Sequence, residues 1–433
     1  GNVVLSYGME TAFFRFINKA PSQKKTVQST ALVSIGISSL SFFLVAFLFR
    51  EQLAQFINFN TQFVIYALLI LLLDALVIIP FVWFRANQKP LKYALIKIIN
   101  VCINLGCNLF FLLALPLLAS NDPSAFWHSL YTQDNTVLYV FISNVIASGA
   151  TLILLLGVYI KIGFHFSVSI WKKMLRYSFP VLIAGVAFSV NEAFDKILLN
   201  YLLPPDIASR EVGVYAACYK LGVFMTLFAT AFRLGVEPFF FNHANKANAK
   251  DTYATITKYF AICGSAILLF VIVYIDFFKT LLIKNEAYWV ALSIVPLILL
   301  ANLCLGIYHN LSVWYKVTDR TRYGAYISVI GACITLGLNF ILIPAISYMG
   351  AAIATLAAYG AMMSLSYFLG RKYYRVPYDV KRIGAYLLLA MCFAGVSFYI
   401  FERNLWIGTA LLLVFLLAVF FFERQEIQRV IKK

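Results

Sequence analysis

The sequence predicts an all-α integral membrane protein of two parallel, pseudo-symmetric six-helix bundles plus a terminal helix pair. Three observations predict it. Composition comes first: 62% of residues are hydrophobic, 12% are charged and the mean hydropathy is +0.84, which no water-soluble globule of this size tolerates on its surface. Spacing comes second, because apolar runs of about 20 residues, long enough to cross a bilayer, recur along the whole chain. The third is an internal repeat. Gly8, Glu10, Phe13, Phe14 and Asn18-Lys19-Ala20 find Gly235, Glu237, Phe240, Phe241 and Asn245-Lys246-Ala247, an offset of about 227 residues. Trp83, Arg85, Lys89, Cys102, Gly106 and Asn108 then find Trp314, Lys316, Arg320, Cys333, Gly337 and Asn339, offset by about 231. Two equivalent halves are a common plan among secondary transporters.

Taken in order, membrane segments are expected at Gly1 to Phe16, Thr26 to Phe49, Gln62 to Phe84, Ala94 to Ala119 and Thr136 to Ile160. They continue at Ser178 to Leu203, Val212 to Phe232, Ala254 to Tyr274, Tyr288 to Val313, Gly324 to Tyr348, Ala351 to Gly370, Ile383 to Phe401 and Leu405 to Phe422, about thirteen in all. Domains are expected at about 1–170 (first bundle), 171–375 (its repeat) and 376–433 (terminal hairpin and tail). The connections alternate in charge. One set, running from Lys19, Lys24 and Lys25 to Arg424, Arg429, Lys432 and Lys433, holds about two dozen cations against about five in the other, which puts the first set and the C-terminus in the cytoplasm. The net charge of +17 is explained by this topology, so nucleic acid is not an expected partner. The helix from Ser178 to Leu203 has no counterpart in the first half, so a full protein of about fourteen helices, with one further helix ahead of Gly1, is the expectation.

Charge inside lipid is costly and rarely idle. The Ser178 to Leu203 segment contains Asn191, Glu192, Asp195 and Lys196, and the next carries Lys220 and Arg233 before Glu237. Helical rise puts Asp195, Lys196 and Lys220 roughly 11 to 12 Å below the outer surface, with Arg233 about 20 Å beyond Lys220. Lys196, Lys220 and Arg233 are candidate phosphate-binding cations, since ammonium and guanidinium groups make charge-assisted bonds to phosphate oxygens. The competing reading is a self-neutralised helix, with Glu192–Lys196 and Asn191–Asp195 pairs at i,i+4 and Arg233 paired with Glu237. Candidate coupling or gating residues are Asp74, Glu192, Asp195, Glu10, Arg15 and Glu237. Asp74 lies deep in its helix, roughly 18 Å from the outer end, and competes with a structural buried acid. Glu10 recurs as Glu237, which favours a shared structural role. Lys97 and Lys258 are expected to snorkel from cytoplasmic helix starts. The cysteines (Cys102, Cys107, Cys218, Cys263, Cys304, Cys333, Cys392) read as small packing residues, and His128, His165, His243 and His309 make no metal set. No catalytic residue and no cofactor is expected.

These residues resemble a known family. Gly8-x-Glu10-x-Ala12-x-x-Arg15-Phe16, Arg176-x-Ser178-x-Pro180 leading to Asp195-Lys196, Val212-Gly213-Val214-Tyr215 with Tyr219-Lys220, and Pro238 are similar to the polysaccharide transporter branch of the multidrug/oligosaccharidyl-lipid/polysaccharide exporter superfamily. The resemblance implies a flippase of the bacterial inner membrane that carries undecaprenyl-diphosphate-linked oligosaccharides to the periplasmic leaflet for O-antigen, capsule or exopolysaccharide. It implies a V-shaped pair of bundles with alternating access, and cavity cations, by position Lys196, Lys220 and Arg233, that serve the head group. Implied partners are the lipid-linked oligosaccharide, membrane lipid, H+ or Na+ as coupling ion, and polysaccharide polymerase and chain-length enzymes. The final pair, Ile383 to Phe422, resembles the extra helices of the lipid-substrate branches.

The alternatives are a cation-coupled drug or metabolite antiporter on the same fold, and a membrane glycosyltransferase or polymerase. An enzyme of the latter kind needs carboxylates or arginines in sizeable outer loops, and the longest outer loop, Ser120 to Asn135, offers only Asp122, His128 and Asp134.

Overall fold

The computed structural model describes residues 2–19, 23–56, 60–121 and 136–431, and every regular element among them is helical. Among the described residues, eleven helices are long and apolar enough to cross a membrane. The long outer loop of the sequence reading lies outside the described residues. The chain separates into two compact units, Gly1–Leu182 and Ile183–Lys433, and the division falls inside one helix, Val168–Leu202.

In the first unit, α1 (Asn2–Ser6) and α2 (Met9–Lys19) occupy the segment expected to be one helix. The break has a local cause. Tyr7 and Gly8 both take positive φ, 34° and 72°, and a Cβ on Gly8 would stand 2.6 Å from the Ser178 carbonyl oxygen. Only glycine combines that backbone with that approach. Next come α3 (Lys24–Leu48), α4 (Arg50–Phe56), α5 (Thr61–Ala86), α6 (Pro90–Leu109), a π-turn (Phe110–Ala114), α7 (Leu115–Asn121) and α8 (Thr136–Ile162). Asn60 caps α5 by accepting from Gln62 N–H at 2.9 Å, and Pro90 opens α6 where its missing N–H costs nothing. Both α3 and α8 pack on α5. Hydrogen bonds between spans reinforce that packing: Ser29 Oγ to Ile162 O at 2.7 Å, Tyr159 Oη to Leu76 O at 2.6 Å and Trp171 Nε1 to Ser34 Oγ at 2.8 Å.

The Val168–Leu202 helix, α9, leads into the second unit. There α10 (Pro205–Tyr219), a 3₁₀ turn (Lys220–Gly222) and α11 (Val223–His243) replace the single helix expected from Val212 to Phe232. Then follow α12 (Ala249–Val273), α13 (Ile275–Leu282), a 3₁₀ stretch (Glu286–Ile294), α14 (Val295–Leu311), α15 (Val313–Val317), α16 (Thr321–Tyr373), α17 (Val380–Gly395) and α18 (Leu405–Ile431). α16 contains the two expected spans 324–348 and 351–370. Non-helical Ile346 and Ser347, the latter at φ 50°, interrupt it, and a Cβ on Gly350 would stand 2.6 Å from the Leu342 backbone. The core centres on α14, sheathed by α16, α12 and α11. Phe260 stacks on Phe228 with ring centroids 5.0 Å apart and meets Phe232 at a tilt, 4.8 Å between centroids.

The terminal pair packs on α12. Lys258 does not snorkel. Its side chain is 6% exposed and bonds Glu423 at 2.7 Å and Glu426 at 2.6 Å, both on α18. Helix ends brought together by the fold supply its counter-charges, so the ammonium need not reach for water. Tyr386 on α17 donates to the fully buried Glu423 at 3.0 Å, and the Lys258 hydrogen bond holds the Glu426 carboxyl below the usual carboxylate range. The cysteines also depart from expectation: Cys218 and Cys304 are buried, but Cys102, Cys263, Cys333 and Cys392 are exposed.

Candidate functional site

Two constellations in the second unit concentrate polar chemistry in apolar sequence. The first surrounds Asp195, which is 2% exposed on α9. Its Oδ1 accepts from Asn339 Nδ2 at 3.0 Å, and its Oδ2 accepts from Tyr215 Oη at 3.1 Å and Thr355 Oγ1 at 2.7 Å. These donors come from α10 and from both spans of α16, so the carboxyl is the meeting point of three helices. No cation stands at ion-pair distance from it among the described residues. Thr355 Oγ1 also lies 3.0 Å from the Ala351 carbonyl, so one hydroxyl proton faces two acceptors, and a proton on Asp195 would resolve the shortage. Further acceptors lie nearby. Asn339 Oδ1, and Asn191 Oδ1 one helical turn before Asp195, are buried without a partner among the described residues. A buried carboxyl with three neutral donors and spare oxygen acceptors suits exchange of a small cation or proton.

The second constellation is a set of cations. Lys196 lies over the Tyr219 ring, its Nζ 5.1 Å from the centroid. Lys220 is exposed in the 3₁₀ turn that joins α10 to α11. Arg233 is half-buried, with Nη1 3.4 Å from His309 Nε2. None of the three has a carboxylate at ion-pair distance among the described residues. The close i,i+4 pairs of the self-neutralised reading are not made: Lys196 lies over Tyr219 and Asp195 takes its hydrogen bonds from other helices, although Glu192 stays within electrostatic reach of Arg233 and Lys196. Glu192 is exposed on α9. His309 sits in the last turn of α14 against Arg233 and packs edge-on to Phe188 with centroids 6.1 Å apart.

The repeated acids form a third feature, present in both units. Glu237 pairs with Lys316 at 2.9 Å, and Glu10 pairs with Arg85, whose guanidinium also lies over Phe14, 5.0 Å from its centroid. Both partners belong to the second run of the sequence repeat, so the two matched segments meet in each unit. Phe13, Phe14, Phe240 and Phe241 are buried beside these pairs. Arg15 is half-buried on α2. Asp74, on α5, is half-buried and accepts from Ser148 Oγ at 2.9 Å. The structure thus gathers Asp195 with Asn339, Tyr215 and Thr355, and keeps Asp74 in a separate, simpler setting within the first unit.

Thr355 and the role of Asn339 were missed in the sequence. Asn339 surfaced there only as the repeat partner of Asn108, and a lone Thr in an apolar helix carries no signal. A carboxylate in mid-span whose neighbouring cation, Lys196, turns to an aromatic ring takes its donors from elsewhere in the fold, and buried Asn and Thr in later spans are the types to look for.

A sequence family described as "Polysaccharide biosynthesis protein" matches residues 2–233. No curated protein matches the chain. Solved structures share the fold. The Vibrio cholerae MATE transporter VcmN in its bent form is 14% identical, with a TM-score of 0.65 over 89% of this chain and 86% of that one. An outward-facing multidrug resistance MATE family transporter of the MOP superfamily is 12% identical, with a TM-score of 0.68 over 89% and 84%. A MOP superfamily transporter from Pyrococcus furiosus, described as having a binding pocket of reversed polarity, is 13% identical, with a TM-score of 0.64 over 89% and 84%.

Proposed function

The chain belongs to the polysaccharide biosynthesis protein family, and from that premise we propose that it is a flippase for undecaprenyl-diphosphate-linked oligosaccharides in a bacterial inner membrane. It carries them from the cytoplasmic to the periplasmic leaflet by alternating access and has its C-terminus in the cytoplasm. The observation that carries this reading is the trio Lys196, Lys220 and Arg233, three cations on α9 to α11 with no carboxylate at ion-pair distance among the described residues. Cations in a transporter that are not locked in a contact ion pair are available to an anionic cargo, and a diphosphate is the anion that a lipid-linked sugar presents. Sugar and diphosphate must avoid hydrocarbon, whereas the polyprenyl tail can stay in it, so only the head group needs a polar route. With the cytoplasm negative, outward movement of an anion gains roughly 2.3 kcal/mol per charge per 100 mV.

Asp195 is assigned the coupling role, with H+ or Na+ as the ion, because among the described residues it alone combines full burial, neutral donors and spare acceptors. Asp74, Glu192, Glu10, Arg15 and Glu237 take gating or structural parts, and polymerase and chain-length enzymes are the expected partners. The same cage favours a second reading, a cation-coupled antiporter like the MATE transporters that share the fold.

Equilibrium binding of an undecaprenyl-diphosphate oligosaccharide to the purified full chain tests the proposal. Lys196→Gln, Lys220→Gln and Arg233→Gln should each weaken binding about tenfold. Unchanged affinity in all three, with saturable binding of organic cations instead, would favour the antiporter.

A further inference from the structure

A basic pocket of about 340 Å³ lies where α16 ends and α17 begins. Its walls include Tyr367 and Arg371 on α16, Arg375 and Tyr378 in the connection, and Asp379 and Lys381 at the start of α17. Asp379 is already spoken for. It caps α17 by accepting from Arg382 N–H at 3.1 Å and pairs with the Arg382 guanidinium at 3.2 Å. Arg371, Arg375 and Lys381 have no ion pair, hydrogen bond or ring contact from their side chains among the described residues, and all three are exposed. The surroundings add positive charge. Arg320 and Lys372 lie over the Tyr373 ring at 4.7 and 5.6 Å, and Lys250 lies over Tyr374 at 4.8 Å. Lys381 also stands in the first turn of α17, where the helix dipole is positive and a cation is disfavoured.

Three uncompensated cations around one pocket, beside a positive helix end, call for an anion with several oxygens, which guanidinium groups bind in bidentate fashion. The location says which anion. The pocket sits at the junction of two membrane spans, Thr321–Tyr373 and Val380–Ile400, and therefore at the level of lipid head groups. We propose that it binds the phosphodiester of an anionic phospholipid, at a site separate from Lys196, Lys220 and Arg233. Arg371, Arg375 and Lys381 hold the phosphate oxygens, and the acyl chains lie outside in the bilayer. The inference does not depend on the transported substrate.

Native mass spectrometry of the delipidated full chain, titrated with phosphatidylglycerol or with phosphatidylcholine of the same tails, tests it. The wild type should retain phosphatidylglycerol preferentially. Each of Arg371→Gln, Arg375→Gln and Lys381→Gln should weaken retention roughly fivefold, and the triple variant about a hundredfold. A control triple, Lys92→Gln, Lys172→Gln and Lys173→Gln, removes the same charge from exposed sites on the first unit and should retain the lipid. Arg375→Lys, which keeps the charge, guards against misfolding and should bind more tightly than Arg375→Gln. Equal loss in the control triple, or equal retention of both lipids, would overturn the proposal. So would saturable binding of inorganic phosphate that displaces the lipid, because the site would then serve a soluble phosphate.

Discussion

The two units share one device and differ in another. Both join a repeated glutamate to a repeated cation, Glu10 to Arg85 in the first and Glu237 to Lys316 in the second. Only the second builds a cage around a carboxyl: Asp195 receives Asn339, Tyr215 and Thr355, whereas Asp74 receives Ser148 among the described residues. What is duplicated ties helices together within a bundle, and what is not duplicated is where the halves have specialised. Burial follows the same division, since Asp195 is 2% exposed while Asp74 is only half-buried.

The largest expected effect would sharpen that contrast. Asp195→Asn should lower gradient-driven transport by roughly tenfold to a hundredfold, the size of a typical coupling free energy, and remove its dependence on the driving ion. Asp74→Asn should change it by less than about threefold, because the amide oxygen can still accept the Ser148 hydrogen bond. Transport in liposomes under imposed pH and sodium gradients separates the two, and equal effects would break the comparison.

The duplicated pair makes the next test. Glu237→Gln and Lys316→Met should each destabilise the second unit, and a double-mutant cycle should return a coupling of about 1 to 3 kcal/mol. The Glu10 and Arg85 cycle should give a similar value. A strong coupling in one unit and none in the other, measured by thermal unfolding in detergent, would deny the pair its common role.

Smaller still is the glycine contrast. Gly8→Ala should cost roughly 1 to 3 kcal/mol, because Gly8 sits at positive φ against the Ser178 carbonyl. Its repeat partner Gly235 has open space around it, so Gly235→Ala should stabilise its helix by about 0.4 to 1 kcal/mol.

The smallest effect concerns the terminal pair. Lys258 holds the Glu426 carboxyl below its ordinary range, so the folded-state value lies under the unfolded one. That contribution to stability is present above the unfolded carboxylate range and is lost as pH falls through the lower folded value. The unfolding midpoint should therefore drop on acidification, and Glu426→Gln should flatten the drop.

Much of this architecture was legible because the bilayer imposes strong rules. Apolar length located the spans, and the repeat located partners: Glu10 with Glu237 and Arg85 with Lys316 were aligned in sequence before the fold joined each acid to its base. Local interruptions were less visible. The breaks at Tyr7–Gly8, Lys220–Gly222 and Ile346–Ser347 lie inside continuous apolar runs, where hydropathy sees no change. Lys258 was misread because its counter-charges, Glu423 and Glu426, stand 165 and 168 residues away. The same distance problem hid Thr355, which is 160 residues from Asp195. Neighbours in sequence suggested i,i+4 pairs, but residues on other helices supplied the actual donors.

The measurement that bears most directly on the central claim is leaflet-to-leaflet movement of a fluorescent undecaprenyl-diphosphate oligosaccharide in liposomes holding the purified full chain. Wild-type protein should move the lipid, faster with the substrate side negative, and the Lys220→Gln/Arg233→Gln variant should not. No movement by the wild type, together with gradient-driven uptake of organic cations, would contradict the flippase and leave the antiporter standing.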